Sequence, residues 1–170
     1  MADINKIRIV QDFPKKGIEF YDITTIMNDA ATFRSYFEEL LEVAKEMKPD
    51  VIVALESRGF FFAPSIALAL NIPFVPIRKE GKLPYSTFSE TYDLEYGSET
   101  IEIHTDALKP NQRVLLFDDV LATGGTGAAA VDLIQKFSPT YIAALFLMEL
   151  AALHGKEKLK VNEIKCLLTV

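Results

Sequence analysis

The amino-acid sequence predicts an α/β fold in which a central, mostly parallel sheet is flanked by helices. Short apolar runs typical of buried strands alternate with segments in which apolar residues recur at helical spacing. Proline and glycine fall between these segments rather than inside them. With 170 residues, 49% of them hydrophobic, the chain can bury one substantial core. We therefore expect a single domain that spans residues 1–170.

The individual elements follow from the same patterns. Apolar residues from Phe33 to Met47 predict an amphipathic helix that ends at Pro49, and residues 60–70 predict a second, mostly apolar helix. Four apolar runs predict buried strands at Val51–Leu55, Phe74–Ile77, Val114–Phe117 and Ile142–Leu147. About 35 residues separate the second strand from the third. They predict a hairpin around Gly97, and long insertions of this kind are often lids.

Charge and cysteine content restrict the class of protein. A net charge of −6 and a pI near 5.0 argue against a nucleic-acid-binding protein, which needs a clustered positive face. The N-terminus lacks the apolar segment of a signal peptide, and the longest apolar runs are too short to cross a bilayer. Cys166 is the single cysteine, so no disulfide framework is expected. These features predict a cytoplasmic protein without membrane contacts.

The connection after the third strand carries the strongest chemical signal. Gly124 and Gly125 allow the backbone to approach an anion at the start of the following helix, and Thr123 and Thr126 add hydroxyl donors. The preceding Asp118-Asp119 pair repels a phosphate but accepts hydrogen bonds from vicinal hydroxyls. The segment therefore predicts a site for a ribose phosphate. A plain strand-turn-helix connection and a magnesium site on the aspartate pair are the alternatives.

Two further segments carry donors for anions. Ser57 and Arg58 follow the first strand and precede a helix, so they are candidates for a second anion site, although Arg58 could instead cap a loop or pair with Glu56. Arg78, Lys79 and Lys82 form a local basic segment in an otherwise acidic chain. The alternative for this segment is ordinary solvated charge.

Four strings of this sequence resemble motifs of a known family. The run from Val114 to Thr126 resembles the 5-phosphoribosyl 1-diphosphate (PRPP) binding motif of type I phosphoribosyltransferases. Glu56-Ser57-Arg58-Gly59 is similar to the family's diphosphate loop, in which a strained or cis peptide often lies just before the serine position. The strings at 12–24 and 78–97 resemble the adenine-specific branch of that family. The resemblance implies the type I fold with a small N-terminal hood, about residues 1–30, and a flexible hairpin lid, about residues 79–104.

The resemblance also implies a reaction and a set of site residues. Adenine and PRPP would give AMP and diphosphate in purine salvage, with Mg²⁺ bridging substrate oxygens without direct protein ligands, in a homodimer. The implied binding residues are Asp118 and Asp119 for the ribose, Ala122, Thr123, Gly124, Gly125 and Thr126 for the 5′-phosphate, Ser57, Arg58, Arg78, Lys79 and Lys82 for the diphosphate, and Glu19, Phe20, Tyr21 and Leu150 for adenine.

The implied catalytic residues are Glu95 and Arg58. Glu95 would take the proton from the purine while the lid residue Tyr96 excludes water, and Arg58 would share the charge of the leaving group. Alternatively, Glu95 is only an exposed hairpin residue and Phe20 only packs in the core. Many family members carry a basic residue at the position of Tyr21, so only backbone recognition is expected there.

The choice of base also has an argument from the residues alone. A 6-oxopurine needs a donor opposite its carbonyl, whereas a 6-amino group needs an acceptor. No basic side chain occurs from Tyr141 to Ala152, where such a donor is typically found. The sequence therefore favours adenine over hypoxanthine, guanine, xanthine or orotate. A PRPP-sensing regulator without catalytic activity is the alternative from another class of protein.

Overall fold

The computed structural model describes residues 2–93 and 97–170. In chain order its strands are β1 (Arg8–Gln11), β2 (Glu19–Asp22), β3 (Val51–Leu55), β4 (Phe74–Lys79), β5 (Thr87–Asp93), β6 (Ser98–His104), β7 (Arg113–Leu121), β8 (Tyr141–Glu149) and β9 (Glu163–Thr169). Its α-helices are α1 (Thr24–Met27), α2 (Ala30–Met47), α3 (Ala63–Leu70) and α4 (Gly125–Gln135). Short 3-10 helices cover Ile4–Lys6, Arg58–Phe61, Ala151–Leu153 and Gly155–Lys158.

Strands β3 to β9 form the central sheet, in the spatial order β5-β6-β4-β3-β7-β8-β9. The five strands from β4 to β9 in this order are parallel, whereas β5 and β6 form an antiparallel hairpin whose second strand pairs with β4. Alternate side chains of β3 enter two cores: Val51 and Val53 pack with α4, and Ile52 and Ala54 with α2 and α3. Burial on both faces requires a continuous apolar run, so the predicted α/β fold is confirmed.

The predicted helices are present, with changes at their boundaries. Helix α2 begins three residues earlier than predicted because the Asp29 carboxylate accepts a hydrogen bond from the Thr32 amide at 2.8 Å, a cap of about 1 kcal/mol. The single helix predicted over 60–70 is wrong, since a 3-10 helix precedes α3. Pro64 explains the break, because a residue without an N–H fits the first turn of a helix and disrupts its interior.

Three strands extend beyond their predicted ends. Strand β7 continues past Phe117 to Leu121, and β8 continues to Glu149, because the two strands remain paired from Val120 with Met148 to Leu121 with Glu149. Strand β4 extends to Lys79 because Arg78 pairs with Glu102 of β6. Asp118 and Asp119 therefore lie within β7 rather than beyond its end. Strand β9, which sequence reasoning missed, mixes apolar and polar residues because it forms an edge of the sheet.

The antiparallel parts of the fold are a separate two-stranded sheet and the hairpin at one edge of the central sheet. Strands β1 and β2 pair within the region expected to form the hood, and the β5–β6 hairpin lies within the region expected to form the lid. The boundaries of hood and lid remain predictions. Within the described part of the chain, no helix has the length and apolar character needed to cross a membrane.

Candidate active site

Two adjoining cavities, of about 200 and 300 Å³, open at the carboxyl ends of β3 and β7. They share four lining residues, namely Arg58, Asp118, Asp119 and Thr126. Carboxyl ends of parallel strands are the usual position for ligands in an α/β sheet. Residues from the predicted ribose, 5′-phosphate and diphosphate sites therefore meet at one edge of the sheet.

The smaller cavity is lined by the connection between β7 and α4. All five residues predicted to bind the 5′-phosphate, from Ala122 to Thr126, line it. Gly124 has φ +79° and precedes the first residue of α4, so the loop requires the left-handed backbone that glycine adopts without strain. The amides at the start of α4 carry the positive end of its dipole. This geometry suits a phosphate group.

The back of this loop packs against Gly155, a residue that sequence reasoning missed. A Cβ atom added to Gly124 would collide with the Gly155 carbonyl oxygen, and one added to Gly155 would collide with the Ala122 carbonyl oxygen. The neighbouring Lys156 forms a 2.5 Å ion pair with Glu149, which is 6% exposed. An isolated glycine in a lysine-rich stretch gave no signal of this contact. The segment around Gly155 therefore supports the connection between β7 and α4 from behind.

The aspartate pair forms the common wall of the two cavities. Asp119 is 2% exposed, and its Oδ2 lies 3.0 Å from Arg58 Nε. That oxygen accepts no well-aligned hydrogen bond from the described residues. Asp118 Oδ1 accepts from the Asp119 amide at 2.9 Å and would lie 3.1 Å from a Cβ at Gly59, so a side chain at that position would crowd the carboxylate.

Enclosure by protein disfavours ionisation of both carboxyl groups. Enclosure by protein and the adjacent Asp119 charge raise the pKa of Asp118 well above its ordinary range. Enclosure also raises the pKa of Asp119, although the Arg58 guanidinium partly opposes this effect. An uncompensated pair at this position is costly, and hydroxyl groups of a ligand would supply the missing donors.

The residues predicted to bind diphosphate are only partly assembled. Ser57, Arg58 and Lys79 line the larger cavity. Arg78 and Lys82 do not line it but bind the carboxylate of Glu56, which does. The Arg78 Nε–Glu56 Oε2 distance is 3.0 Å and the Lys82 Nζ–Glu56 Oε1 distance is 2.6 Å. The Glu56–Ser57 peptide is cis, which confirms that prediction.

Lys79 also has a carboxylate partner, Glu99. Glu99 and Tyr92, which line the larger cavity, were missed because alternating polar residues in a hairpin carry no chemical signature. The Tyr92 hydroxyl donates to Glu99 Oε2 at 2.7 Å. The Tyr92–Glu99 pair of the β5–β6 hairpin therefore contributes side chains to the site.

The residues predicted to contact adenine come from two parts of the chain, namely β2 and the residue that follows β8. The Phe20 ring centroid is 5.2 Å from the Arg58 guanidinium carbon and 5.1 Å from the Phe13 ring. Glu19 is exposed and accepts from Gln11 Nε2 at 2.9 Å, while Tyr21 is partly buried. Leu150 directly follows β8, and its amide donates to the Leu121 carbonyl at 2.9 Å. The predicted proton acceptor Glu95 and its neighbour Tyr96 lie outside the described residues.

Arg58 connects residues of the predicted adenine and ribose sites. Its guanidinium contacts the Phe20 ring and pairs with Asp119, and the same residue borders both cavities. A flat ring bound beside Phe20 would therefore lie near Asp118 and Asp119, because Arg58 contacts both Phe20 and Asp119. The arrangement can hold a base next to a phosphorylated sugar.

Comparisons with known proteins agree with this geometry. Residues 21–169 match the phosphoribosyl transferase domain family. The adenine phosphoribosyltransferase of Desulfitobacterium hafniense is 48% identical over 158 residues, which cover 93% of this chain and 91% of that protein.

Two solved structures extend the agreement to the fold. Adenine phosphoribosyltransferase from Thermoanaerobacter pseudethanolicus matches with a TM-score of 0.93 at 44% identity, covering 98% of this chain and 96% of that one. The Saccharomyces cerevisiae enzyme, complexed with adenine and D-2,5-dideoxy-2,5-imino-altritol 1,6-bisphosphate, matches with a TM-score of 0.90 at 40% identity, covering 96% and 95%. The chain is therefore an enzyme of the phosphoribosyl transferase family and belongs to its adenine phosphoribosyltransferases.

Proposed function

We propose that this enzyme transfers the 5-phosphoribosyl group of PRPP to adenine, giving AMP and diphosphate in a Mg²⁺-dependent step of purine salvage. One observation carries the proposal: the glycine- and threonine-containing loop 122–126, the partly buried Asp118 with the buried Asp119, and the Arg58–Phe20 contact meet at one sheet edge. The names of the relatives support adenine as the base, and the yeast neighbour was solved with adenine bound.

The phosphorylated sugar would occupy the smaller cavity and its junction with the larger one. Backbone amides and hydroxyl groups of 122–126 would bind the 5′-phosphate at the positive end of α4. Asp118 and Asp119 would accept hydrogen bonds from the ribose hydroxyls, which would give Asp119 Oδ2 a well-aligned donor in addition to its ion pair with Arg58. Fixing the sugar in this way contributes to catalysis by orienting C1′ toward the base.

The diphosphate would bind in the larger cavity, near Ser57, Arg58 and Lys79. Charge at this position is nearly balanced, because Arg58 pairs with Asp119 and Lys79 with Glu99. A diphosphate therefore needs additional positive charge. Arg78 and Lys82 would contribute once they exchange Glu56 for the substrate, in this subunit or in a neighbouring one.

Magnesium fits the donor set at this position. The carboxylate and substrate oxygens are the ligands that Mg²⁺ prefers, yet no three acidic, histidine or cysteine side chains converge among the described residues. We propose that the ion is held mainly by diphosphate and ribose oxygens, without a direct side-chain ligand. When bound, Mg²⁺ would neutralise charge on the leaving diphosphate.

Adenine would stack on Phe20, with backbone groups near Glu19 and Tyr21 contacting its edge and Leu150 packing from the other side. N9 would attack C1′ as the C1′–oxygen bond breaks and its electron pair leaves with the diphosphate. Glu95 would accept the N9 proton, and Tyr96 would exclude water. A Glu95→Gln variant should lose about a hundredfold or more in kcat, whereas the hairpin variant Glu90→Gln should retain it. Full turnover by Glu95→Gln would refute this role.

A cytoplasmic homodimer completes the proposal. We propose a dimer because, in the family that this sequence resembles, cations of the basic segment that includes Lys82 reach a neighbouring subunit. Light scattering coupled to size exclusion would test the dimer, and a single-chain mass in solution would contradict it. Cell fractionation would test the location.

The decisive experiment measures diphosphate release from PRPP with adenine, hypoxanthine, guanine and orotate in parallel, with Mg²⁺ or with EDTA. We expect diphosphate release and AMP formation only when adenine is the base and Mg²⁺ is present. Release with a 6-oxopurine would overturn the assignment of the base, and release in EDTA would overturn the metal dependence. If no base supports release while PRPP binds, the protein is a PRPP sensor instead.

A further inference from the structure

The larger cavity has a carboxylate in its wall that the proposed reaction does not use. Glu56, Asp118 and Asp119 line this cavity from the parallel part of the sheet, whereas Glu99 lines it from the β5–β6 hairpin. In the proposed reaction Asp118 and Asp119 hold the ribose, and Glu99 has no part. A carboxylate beside a diphosphate repels it, so the position of Glu99 needs a separate explanation.

Two partners hold the Glu99 carboxylate at the cavity. It forms an ion pair with Lys79, and it accepts a 2.7 Å hydrogen bond from the hydroxyl of Tyr92, the residue opposite it in the hairpin. The hydrogen bonds from Lys79 and Tyr92 lower the pKa of Glu99, so the group is ionised at neutral pH. The Glu99 side chain is 26% exposed and that of Lys79 is 52% exposed. A ligand that enters from solvent can therefore reach the ion pair.

The ion pair occupies a cation that a diphosphate would use. Lys79 lines the larger cavity together with Arg58, which is itself paired with Asp119. A diphosphate that binds Lys79 must either displace the Glu99 carboxylate or lie beside its negative charge. The first costs an ion pair and the second adds repulsion between like charges. In both cases ionised Glu99 weakens the binding of diphosphate.

We propose that Glu99 competes with diphosphate for Lys79 and thereby limits the affinity of the site for this product, so that diphosphate leaves after each turnover. The inference rests on the proposed diphosphate site. A purely structural role of Glu99 predicts the opposite effect, because loss of its contacts would loosen the hairpin and weaken binding. Competition predicts that removing the charge strengthens binding, so the sign of the change separates the two.

The test compares Glu99→Gln with the wild type and with Glu90→Gln. Glu90 is a matched control, because it lies in the same hairpin and pairs with a lysine, Lys136, but does not line the larger cavity. Calorimetry in the presence of Mg²⁺ would measure binding of diphosphate and of ribose 5-phosphate to each protein.

We expect Glu99→Gln to bind diphosphate about tenfold more tightly, because one negative charge beside the anion is removed. Its affinity for ribose 5-phosphate should stay within about twofold of the wild type, since Glu99 does not line the smaller cavity. In steady-state kinetics the inhibition constant of diphosphate should fall about tenfold while the KM for adenine stays within about twofold. Glu90→Gln should match the wild type in each measurement.

Three results would each overturn the role of Glu99. They are unchanged or weaker binding of diphosphate by Glu99→Gln, an equal gain for ribose 5-phosphate, and an equal gain in Glu90→Gln. Turnover of the wild type with adenine and PRPP tests the proposed function separately, since diphosphate binding needs no base. A wild type that forms AMP, with no gain in diphosphate affinity in Glu99→Gln, would keep the proposed function and remove this inference. A wild type that neither forms AMP nor binds diphosphate would overturn both.

Discussion

Replacing Glu56 by glutamine should reduce stability in a pH-dependent way. The Glu56 side chain is 10% exposed and accepts four hydrogen bonds: from Arg78 Nε at 3.0 Å, Arg78 Nη2 at 3.5 Å, Lys82 Nζ at 2.6 Å and the Lys79 amide at 3.0 Å. Burial alone would raise its pKa, but these donors outweigh burial and lower the pKa from 4.5 to about 2. The ionised form is therefore stabilised in the folded state.

The difference between folded and unfolded pKa sets the size of the effect. Each pH unit between the two values corresponds to about 1.4 kcal/mol, so ionised Glu56 contributes about 3 kcal/mol at pH 7. Because the folded pKa is the lower one, this stability is present above pH 4.5 and is lost as the pH falls toward about 2. At pH 3 about 1 kcal/mol should remain.

Urea unfolding followed by circular dichroism, at fixed protein concentration, would measure this dependence at pH 7, 5, 4 and 3. The wild type should exceed Glu56→Gln by about 3 kcal/mol at pH 7, and the difference should shrink toward pH 3. Glu80→Gln, a control at an exposed glutamate nearby, should stay within about 0.5 kcal/mol of the wild type. A difference between wild type and Glu56→Gln that is constant over this range would refute the reasoning.

Three further substitutions test the site by steady-state kinetics with each substrate varied in turn. Gly155→Ala should raise the KM for PRPP by up to about a hundredfold, because its Cβ would push the Ala122 carbonyl and misplace the phosphate loop. Gly127→Ala is its control. The added Cβ would lie 3.3 Å from a leucine methyl group that can move, so the KM for PRPP should not change. Asp118→Asn should raise the KM for PRPP about tenfold, and unchanged kinetics would reject its contact with the ribose. Phe20→Ala should raise the KM for adenine about tenfold through lost stacking, and an effect on PRPP alone would contradict this.

The elements buried on both faces could be predicted from the sequence because one physical rule determines them. Strand β3 matches its prediction at both ends, because a short apolar run bounded by polar residues and proline fits a strand that is buried on both faces. Strand β7 was predicted too short because Asp118 and Asp119 look like the end of a strand. Only the pairing of Val120 with Met148 in β8 shows that the strand continues, and such pairing is not visible in a single segment.

The same distinction applies to the site. Residues 122–126 could be predicted because glycine, threonine and a helix start are contiguous in sequence and have a local chemical purpose. Gly155 and Tyr92 could not, because they approach the loop 122–126 only through the fold, from more than thirty positions away in the sequence. A lone glycine or tyrosine in a polar stretch is compatible with many environments, and only the fold selects one.

The partners of the cations explain how the site can remain folded without substrate. Arg78 and Lys82 share the Glu56 carboxylate, and Arg58 pairs with Asp119. These carboxylates offset the positive charge when no diphosphate is bound. Unpaired cations clustered at this edge would repel one another and destabilise the loop. An anionic substrate must then exchange partners with these carboxylates. The net gain on binding is smaller than the number of cations suggests, which is why we expect PRPP affinity to depend on the Mg²⁺ that accompanies it.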